Sequence, residues 1–393
     1  MKFSKLQVVI ALLGALFFPN AVISASSLSS NAQVSLITIT PGQDLYSAFG
    51  HSTIWIYDPQ NQIDRVYNYG TFDFEQPGFY LNFVKGHLDY TLSVYSFENQ
   101  YLSAQEEGRG LDQQLLGLDS IQKQRLFEFL EWNALPQNAH YKYDFYLDNC
   151  SSRIRDIFQK NFGANLKYDP LISTPYSFRE WMNIFLLPHP WSSLGMNIGL
   201  GAPSDKKTDY LTQMYLPLNL KLGVACAMNS GKPLVVQDKE ILYPFENNVK
   251  VNNPVLSVTM VVFAMSMLLI FSKGRFASLA TAFDALLFIV VTILGLVLAL
   301  LWLATDHWVC AGNTDLLWAN PFCVCYFLLL TKYRNKKITF YLCLALLILS
   351  VFYYTIGYIL PEKPLFLILP FVLALQVRVV FRLYRNYFKN NPV

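Results

Sequence analysis

The chain has 393 residues, of which 53% are hydrophobic, 16% aromatic and only 15% charged. This composition is too apolar for a single soluble domain. The formal net charge is +3, and the sequence has no nucleic-acid-binding motif and no phosphate-binding glycine loop, so nucleic acid is not expected as a partner.

The first 25 residues have the pattern of an export signal. Lys2 and Lys5 precede an apolar run over residues 6–18, and small residues follow up to Ala25. This order predicts a signal peptide over residues 1–25, with an uncleaved membrane anchor as the alternative. Residues 26–251 then have the composition of a globular, aromatic-rich domain that is long enough to form its own core.

Five apolar segments of bilayer-spanning length follow, over residues 254–272, 277–303, 316–331, 338–360 and 364–381. Lysine and arginine residues follow the first, third and fifth segments, at residues 273–275, 332–337 and 382–389. The positive-inside rule places these connections in the cytoplasm. The sequence therefore predicts a five-helix membrane domain over residues 252–393, with a cytoplasmic C-terminus. The domain before it is expected outside the cytoplasmic membrane.

The exported domain is predicted to be α+β. Strands are expected over residues 34–40, 52–57, 65–70, 90–95 and 109–116, and an amphipathic helix begins after Asp119 or Ser120. If the second and third strands form a hairpin that turns at residues 60 and 61, His51 faces position 70. Asn68 is then its diagonal neighbour on the same face.

Cys150 is the candidate nucleophile. Asp148 or Asn149 can cap a helix that starts at this cysteine, and Gly163 can end it. The dipole and the free N–H groups of a helix N-terminus stabilise a thiolate. The N–H groups around Asn149 and Ser151 can also hold an oxyanion.

A thiol nucleophile needs a base within hydrogen-bond reach, and that base needs an orienting group. His51 is the candidate base, with Asn68 or Asp73 to orient it. His87 and His140 are rival bases. A structural cysteine and a surface histidine remain the alternative explanation of the same residues.

The roles of three further sets of residues stay open. Arg153 and Arg155 could hold a lipid phosphate or form ion pairs with nearby carboxylates. Asp284, inside the second apolar segment, could be functional, pair with Asn320, or be a protonated structural residue. The two cysteines outside the membrane segments and away from the candidate site, Cys226 and Cys310, could form a disulfide. No histidine, cysteine and carboxylate cluster has the spacing of a metal site.

Ordered motifs give a family resemblance. The sequences AFGHS at 48–52, VYNYGTFDF at 66–74, YDFYLDNCSSRIRD at 143–156, WSSLGMNIGLG at 191–201 and MYLP at 214–217 resemble Lnb-type lipoprotein N-acyltransferases. The exported domain also resembles permuted papain-like thiol enzymes of the NlpC and lecithin retinol acyltransferase kind. In those enzymes the histidine strand precedes the cysteine helix, as it does here.

The resemblance implies an α+β permuted papain-like domain followed by a bundle of five transmembrane helices, with Cys150 as nucleophile and His51 as base. It implies acyl transfer from a membrane phospholipid, through a Cys150 thioester, to the N-terminal amine of a diacylated lipoprotein. It also implies the inner membrane of a bacterium, with the thiol domain on the periplasmic side, and it implies no cofactor. The alternatives are a papain-like peptidase or amidase acting on peptidoglycan, which shares the dyad, and a non-catalytic membrane scaffold in which Cys150 is structural.

Overall fold

The computed structural model describes residues 27–72, 78–245, 253–331, 336–356 and 365–387. The predicted signal peptide, and Asp73 among the candidate site residues, lie outside the described residues.

The exported domain is built on a seven-stranded antiparallel sheet with the strand order β10-β5-β1-β2-β3-β4-β6. Its strands are β1 (Gln33–Ile39), β2 (His51–Asp58), β3 (Ile63–Thr71), β4 (Asp89–Tyr95), β5 (Leu111–Leu116), β6 (His140–Lys142) and β10 (Val235–Leu242). A small second sheet contains β7 (Leu166–Lys167), β8 (Met228–Asn229) and β9 (Lys232–Pro233). The five predicted strands of this domain are therefore confirmed.

The hairpin of β2 and β3 has the predicted register. Ile54 pairs with Tyr67, and Asp58 pairs with Ile63 across the turn. Continued to the start of β2, this register sets His51 opposite Gly70, because paired residue numbers in an antiparallel hairpin have a constant sum. The turn chemistry of residues 58–61 thus fixes which residues meet the first residue of β2.

Helices cover the sheet. They are α1 (Phe79–Lys85), α2 (Phe97–Glu106), α3 (Ser120–Asn133), α4 (Cys150–Phe162), α5 (Phe178–Phe185), α6 (Pro190–Gly199) and α7 (Pro217–Ala225). Helix α4 packs across β2 and β3. Its apolar face, with Ile154 and Phe158 fully buried, enters the main core together with Leu36 and Ile54 of the sheet. Burial of this face against two central strands holds the first turn of α4 beside the start of β2.

The C-terminal region is helical, as predicted, with α8 (Pro254–Leu268), α9 (Arg275–Leu303), α10 (Cys323–Thr331), α11 (Lys336–Ile356) and α12 (Leu369–Tyr387). Four helical segments are long and apolar enough to cross a bilayer, over Pro254–Phe271, Arg275–Leu303, Lys337–Thr355 and Phe366–Arg385. Helix α10 lies in the third predicted segment and is described over 9 residues, up to Thr331.

The start of the third segment folds as turns because a buried carboxylate organises it. The indole N–H of Trp318 and the hydroxyl of Tyr353 both donate to Asp315, each at 2.6 Å. Gly295 of α9 allows a close approach to this segment, since a Cβ there would lie 2.2 Å from the carbonyl oxygen of Ala319. The polar anchor and the close backbone contact thus hold the non-helical start of this segment against α9 and α11.

Asp284 pairs with arginines. Its carboxylate accepts from Nε of Arg378 and from Nε of Arg382, both at 2.5 Å, and all three side chains are buried. The Asn320 side chain instead accepts from the backbone N–H of Phe322. The predicted pairing of Asp284 with Asn320 is therefore wrong. Two guanidinium groups compensate the burial of a carboxylate better than one amide does.

The exported domain is docked on the loop that follows α9. The backbone N–H groups of Gly201 and Ala202 donate to the carbonyls of Val309 and Ala311, at 2.8 and 3.1 Å. A Cβ at Gly201 would lie 2.1 Å from the carbonyl oxygen of Ala311, so only glycine permits this contact. This contact fixes the distance between the exported domain and the membrane helices at this point.

Candidate active site

Cys150 is the first residue of α4, and Asn149 caps the helix. The Asn149 side-chain oxygen accepts from the backbone N–H groups of Ser151 and Ser152, both at 2.9 Å. The Ser152 hydroxyl accepts from the Asn149 N–H at 2.8 Å. This reciprocal cap fixes the backbone on both sides of the cysteine. The predicted helix start, and the predicted helix end at Gly163, are confirmed.

The Asn149 amide group faces away from the thiol. Its NH₂ donates to the carbonyls of Phe145 and Tyr215, at 2.7 and 2.8 Å. The cap also occupies the backbone N–H of Ser151. Within the described part of the chain, the backbone N–H of Cys150 has no such partner and is the remaining donor of the first turn.

His51 is the first residue of β2, and its ring lies between Asn68 and Cys150. Its Nε2 hydrogen-bonds Oδ1 of Asn68 at 2.5 Å. Because an amide oxygen only accepts, Nε2 carries a proton, and Nδ1 is the nitrogen left for the Cys150 thiol. Gly70 closes the site from β3, with a φ of +109°. A Cβ there would lie 3.4 Å from Cε1 of His51 and 3.9 Å from Cβ of Cys150.

The proximity of thiol and imidazole changes the pKa of each. Burial acts against ionisation of both groups, but the opposite charge and the hydrogen bond between them outweigh it. The pKa of Cys150 is lowered to about 7, with further help from the backbone N–H of Ser52 and the hydroxyl of Ser151. The pKa of His51 is raised above its usual value by the thiolate and by its hydrogen bond to Asn68. A thiolate–imidazolium pair is therefore accessible near neutral pH.

The loop before Cys150 is tied to the membrane domain. Oδ1 of Asp144 accepts from the backbone N–H groups of Tyr146 and Leu147, both at 2.9 Å. Oδ2 of the same carboxylate accepts from the indole N–H of Trp308, in the loop that follows α9. The Asp144 carboxylate thus shapes the turn that precedes Cys150 and also binds that turn to the loop after α9.

Two family models match this chain. The Lnb N-terminal periplasmic domain matches residues 19–183, and the Lnb transmembrane domain matches residues 246–390. The chain belongs to the Lnb family. Both models occur in the expected order and together match most of the sequence, which confirms the predicted resemblance and indicates a lipoprotein N-acyltransferase-like role. No curated protein and no solved structure matches the chain.

For this Lnb chain, the match also supports the predicted location. It indicates a membrane protein with a periplasmic domain, and by implication the inner membrane. The domain limits at residues 25 and 251 stay predictions.

The two arginines after the nucleophile are engaged in ion pairs. Arg153 binds both carboxylate oxygens of Asp148, at 2.8 and 2.6 Å, and stacks 3.7 Å over the ring of Tyr141. Arg155 donates to Asp156 at 2.7 Å. These are the carboxylate partners expected from the sequence, and contact with a lipid headgroup stays a prediction.

The rival bases lie elsewhere. His87 pairs with Asp306 at 2.9 Å, and His140 is exposed on β6. Cys226 and Cys310 are both free thiols. Among the described residues, no three histidine, cysteine or carboxylate side chains are close enough to share a metal ion.

Sequence reasoning missed four residues around the nucleophile. Ser52 and Gly70 lie beside the thiol, and Asp144 and Trp308 connect its loop to the membrane domain. Two sequence signals could have found Ser52 and Gly70. Ser52 is the residue after His51, and Gly70 is opposite His51 in the predicted hairpin. The contact between Asp144 and Trp308 spans 164 residues, and no local pattern indicates it.

Proposed function

We propose that this protein transfers an acyl chain from a membrane phospholipid to the N-terminal amine of a diacylated lipoprotein, with Cys150 as nucleophile and His51 as general base and acid. The observation that carries the proposal is a thiol at a helix start, beside the His51 imidazole, in a domain fastened to membrane helices. An acyl donor and an acceptor that are both lipid-anchored require such a site at the membrane surface.

In the first half-reaction the Cys150 thiolate attacks the carbonyl carbon of a phospholipid ester. The negative charge passes to the carbonyl oxygen, where the backbone N–H of Cys150 is the free donor at the helix start. The ester C–O bond then breaks, and the His51 imidazolium gives its proton to the leaving lysophospholipid oxygen. The product is a Cys150 thioester and a neutral imidazole.

In the second half-reaction the α-amine of a lipoprotein cysteine attacks the thioester carbonyl. His51 takes a proton from the attacking nitrogen, and the C–S bond breaks. The acyl chain leaves as an amide, and the thiolate–imidazolium pair is restored. Asn68 keeps the imidazole oriented through both halves, because its oxygen accepts from Nε2 in either protonation state of the ring. Asp73, which lies outside the described residues, stays a candidate for this orienting role.

The position of the site supports a lipid substrate over a soluble one. The Asp144 turn joins the nucleophile to Trp308, five residues beyond the end of α9 at Leu303. The first turn of α4 is therefore held near the periplasmic surface of the membrane that the helices span. Such a position favours an ester of a membrane lipid as the acyl donor.

The test is mass spectrometry of the N-terminal peptide of a lipoprotein from bacteria in which this protein is the sole N-acyltransferase. The native chain should give an amide-linked third acyl chain, whereas Cys150→Ala and His51→Ala should give a free amine. His140→Ala, which changes an exposed histidine of the same domain, is the matched control and should act as the native chain does. A free amine with well-expressed native protein would refute the proposal, and peptidoglycan fragments would then be the substrates to assay.

A further inference from the structure

The cytoplasmic ends of the spanning helices enclose a basic cavity of about 690 Å³. It lies between the end of α8, the start of α9 and the end of α12. Its lining residues are Ile270, Phe271, Ser272, Lys273, Gly274, Ala277, Phe381, Tyr384 and Arg385. Among the described residues of this lining, Lys273 and Arg385 are the charged ones, and both are cationic.

An apolar groove of about 640 Å³ adjoins this cavity. The two share Ile270, Phe381 and Tyr384, so they form one continuous depression along α8 and α12. The groove continues along Met267, Leu373, Val377 and Val380, with Gln376 as a polar member. The depression therefore has a cationic end at the cytoplasmic membrane surface and an apolar part at the depth of the acyl chains.

The buried charges next to the depression add to its positive character. Asp284 is paired with both Arg378 and Arg382, which leaves one positive charge in excess. The Arg378 guanidinium lies 5.0 Å from the ring of Phe381, a residue that lines both cavities. In the low dielectric of a bilayer, an uncompensated charge attracts an anion more strongly than it does in water.

We propose that this depression binds an anionic phospholipid of the inner leaflet. Its phosphate lies between Lys273 and Arg385, and one acyl chain lies along the groove toward Val377. Arginine suits a phosphate because its guanidinium presents a fork of donors. A basic pocket between helices on the cytoplasmic side is the setting in which anionic headgroups are recognised.

The occupant is distinct from an acyl donor of the thiol. Cys150 belongs to the periplasmic domain, whereas Lys273 follows the first span and lies at the opposite membrane surface. A hydrocarbon layer of about 30 Å separates the two surfaces. The lipid therefore binds as a structural ligand that joins α8, α9 and α12, and the proposal does not depend on the acyl-transfer reaction.

The test is native mass spectrometry of the full chain in detergent, with phosphatidylglycerol and phosphatidylcholine of identical acyl chains. The native protein should retain phosphatidylglycerol at least tenfold better. The double substitution of Lys273→Gln and Arg385→Gln should reduce this retention to the level of phosphatidylcholine. Lys337→Gln removes an exposed cation on the same membrane side, outside the cavity, and should change nothing.

Val380→Trp tests the apolar part. The larger side chain fills the groove and should weaken binding of both lipids, whereas glycerol 3-phosphate alone should not compete with either. The alkylation rate of Cys150 reports whether each variant is folded. If the double variant does not fold, the single variants Lys273→Gln and Arg385→Gln replace it, and each should lose part of the phosphatidylglycerol retention. Equal retention of the two lipids, full retention by the cation variants, or efficient competition by glycerol 3-phosphate would overturn the proposal.

Discussion

The reactivity of Cys150 depends on its pairing with His51, and replacing this histidine tests the pairing directly. With a pKa of about 7, about half of the thiol is ionised at pH 7. In His51→Ala the charge and the hydrogen bond are lost while burial remains, so the pKa should rise to about 9 or higher. The thiolate fraction at pH 7 then falls about fiftyfold, to roughly one percent.

A more basic thiolate is also a better nucleophile. With a Brønsted coefficient of about 0.45, two units of pKa raise the intrinsic reactivity about eightfold. The net alkylation rate at pH 7 should therefore fall only about sixfold. Above about pH 8, His51→Ala should react faster than the native protein, because its gain in nucleophilicity there exceeds its deficit in thiolate. A crossing of the two pH profiles is specific to loss of the base, since general damage to the site slows the reaction at every pH.

The assay measures carbamidomethylation of the Cys150 peptide by iodoacetamide between pH 5 and pH 10. Cys226 and Cys325, which are exposed, are replaced by serine in every variant. The native rate should rise through pH 7, because the lowered thiol pKa means that the reactive thiolate is lost as the pH falls through that value. A native inflection near pH 9, or the same inflection in His51→Ala, would refute the pairing.

Three further substitutions test the parts around this pair. Asn68→Ala should lower acyl transfer about ten- to a hundredfold, because it removes a hydrogen bond to a charged ring; Asn68→Asp keeps the acceptor, and a similar loss in both would argue against an orienting role. Gly70→Ala forces a side chain into a left-handed backbone beside His51. It should lower the free energy of unfolding by about 1–3 kcal/mol and should also slow alkylation of the thiol at low pH. Gly201→Ala should lower the free energy of unfolding by about 1–3 kcal/mol through overpacking. Gly199→Ala is the control, because a Cβ there meets nothing within 4 Å. Equal melting temperatures for the two variants would refute the docking contact.

The amino-acid sequence by itself determined the local elements of the site. The turn at residues 58–61 sets the hairpin register, and that register brings Gly70 opposite His51. The Asn149 cap and the apolar face of α4 place Cys150 at a helix start on the core side. These features depend on side-chain periodicity, capping and turn chemistry, all of which act over a few residues.

The tertiary structure alone decided which distant groups meet. Nothing in the spacing of Asp144 and Trp308 indicates their contact, and nothing in the apolar pattern of residues 316–331 indicates that the Asp315 carboxylate binds Tyr353. The partners of Asp284 likewise lie on a helix 94 and 98 residues away. Such contacts arise when independently formed elements pack, because a buried charge or donor takes whichever partner the packing presents.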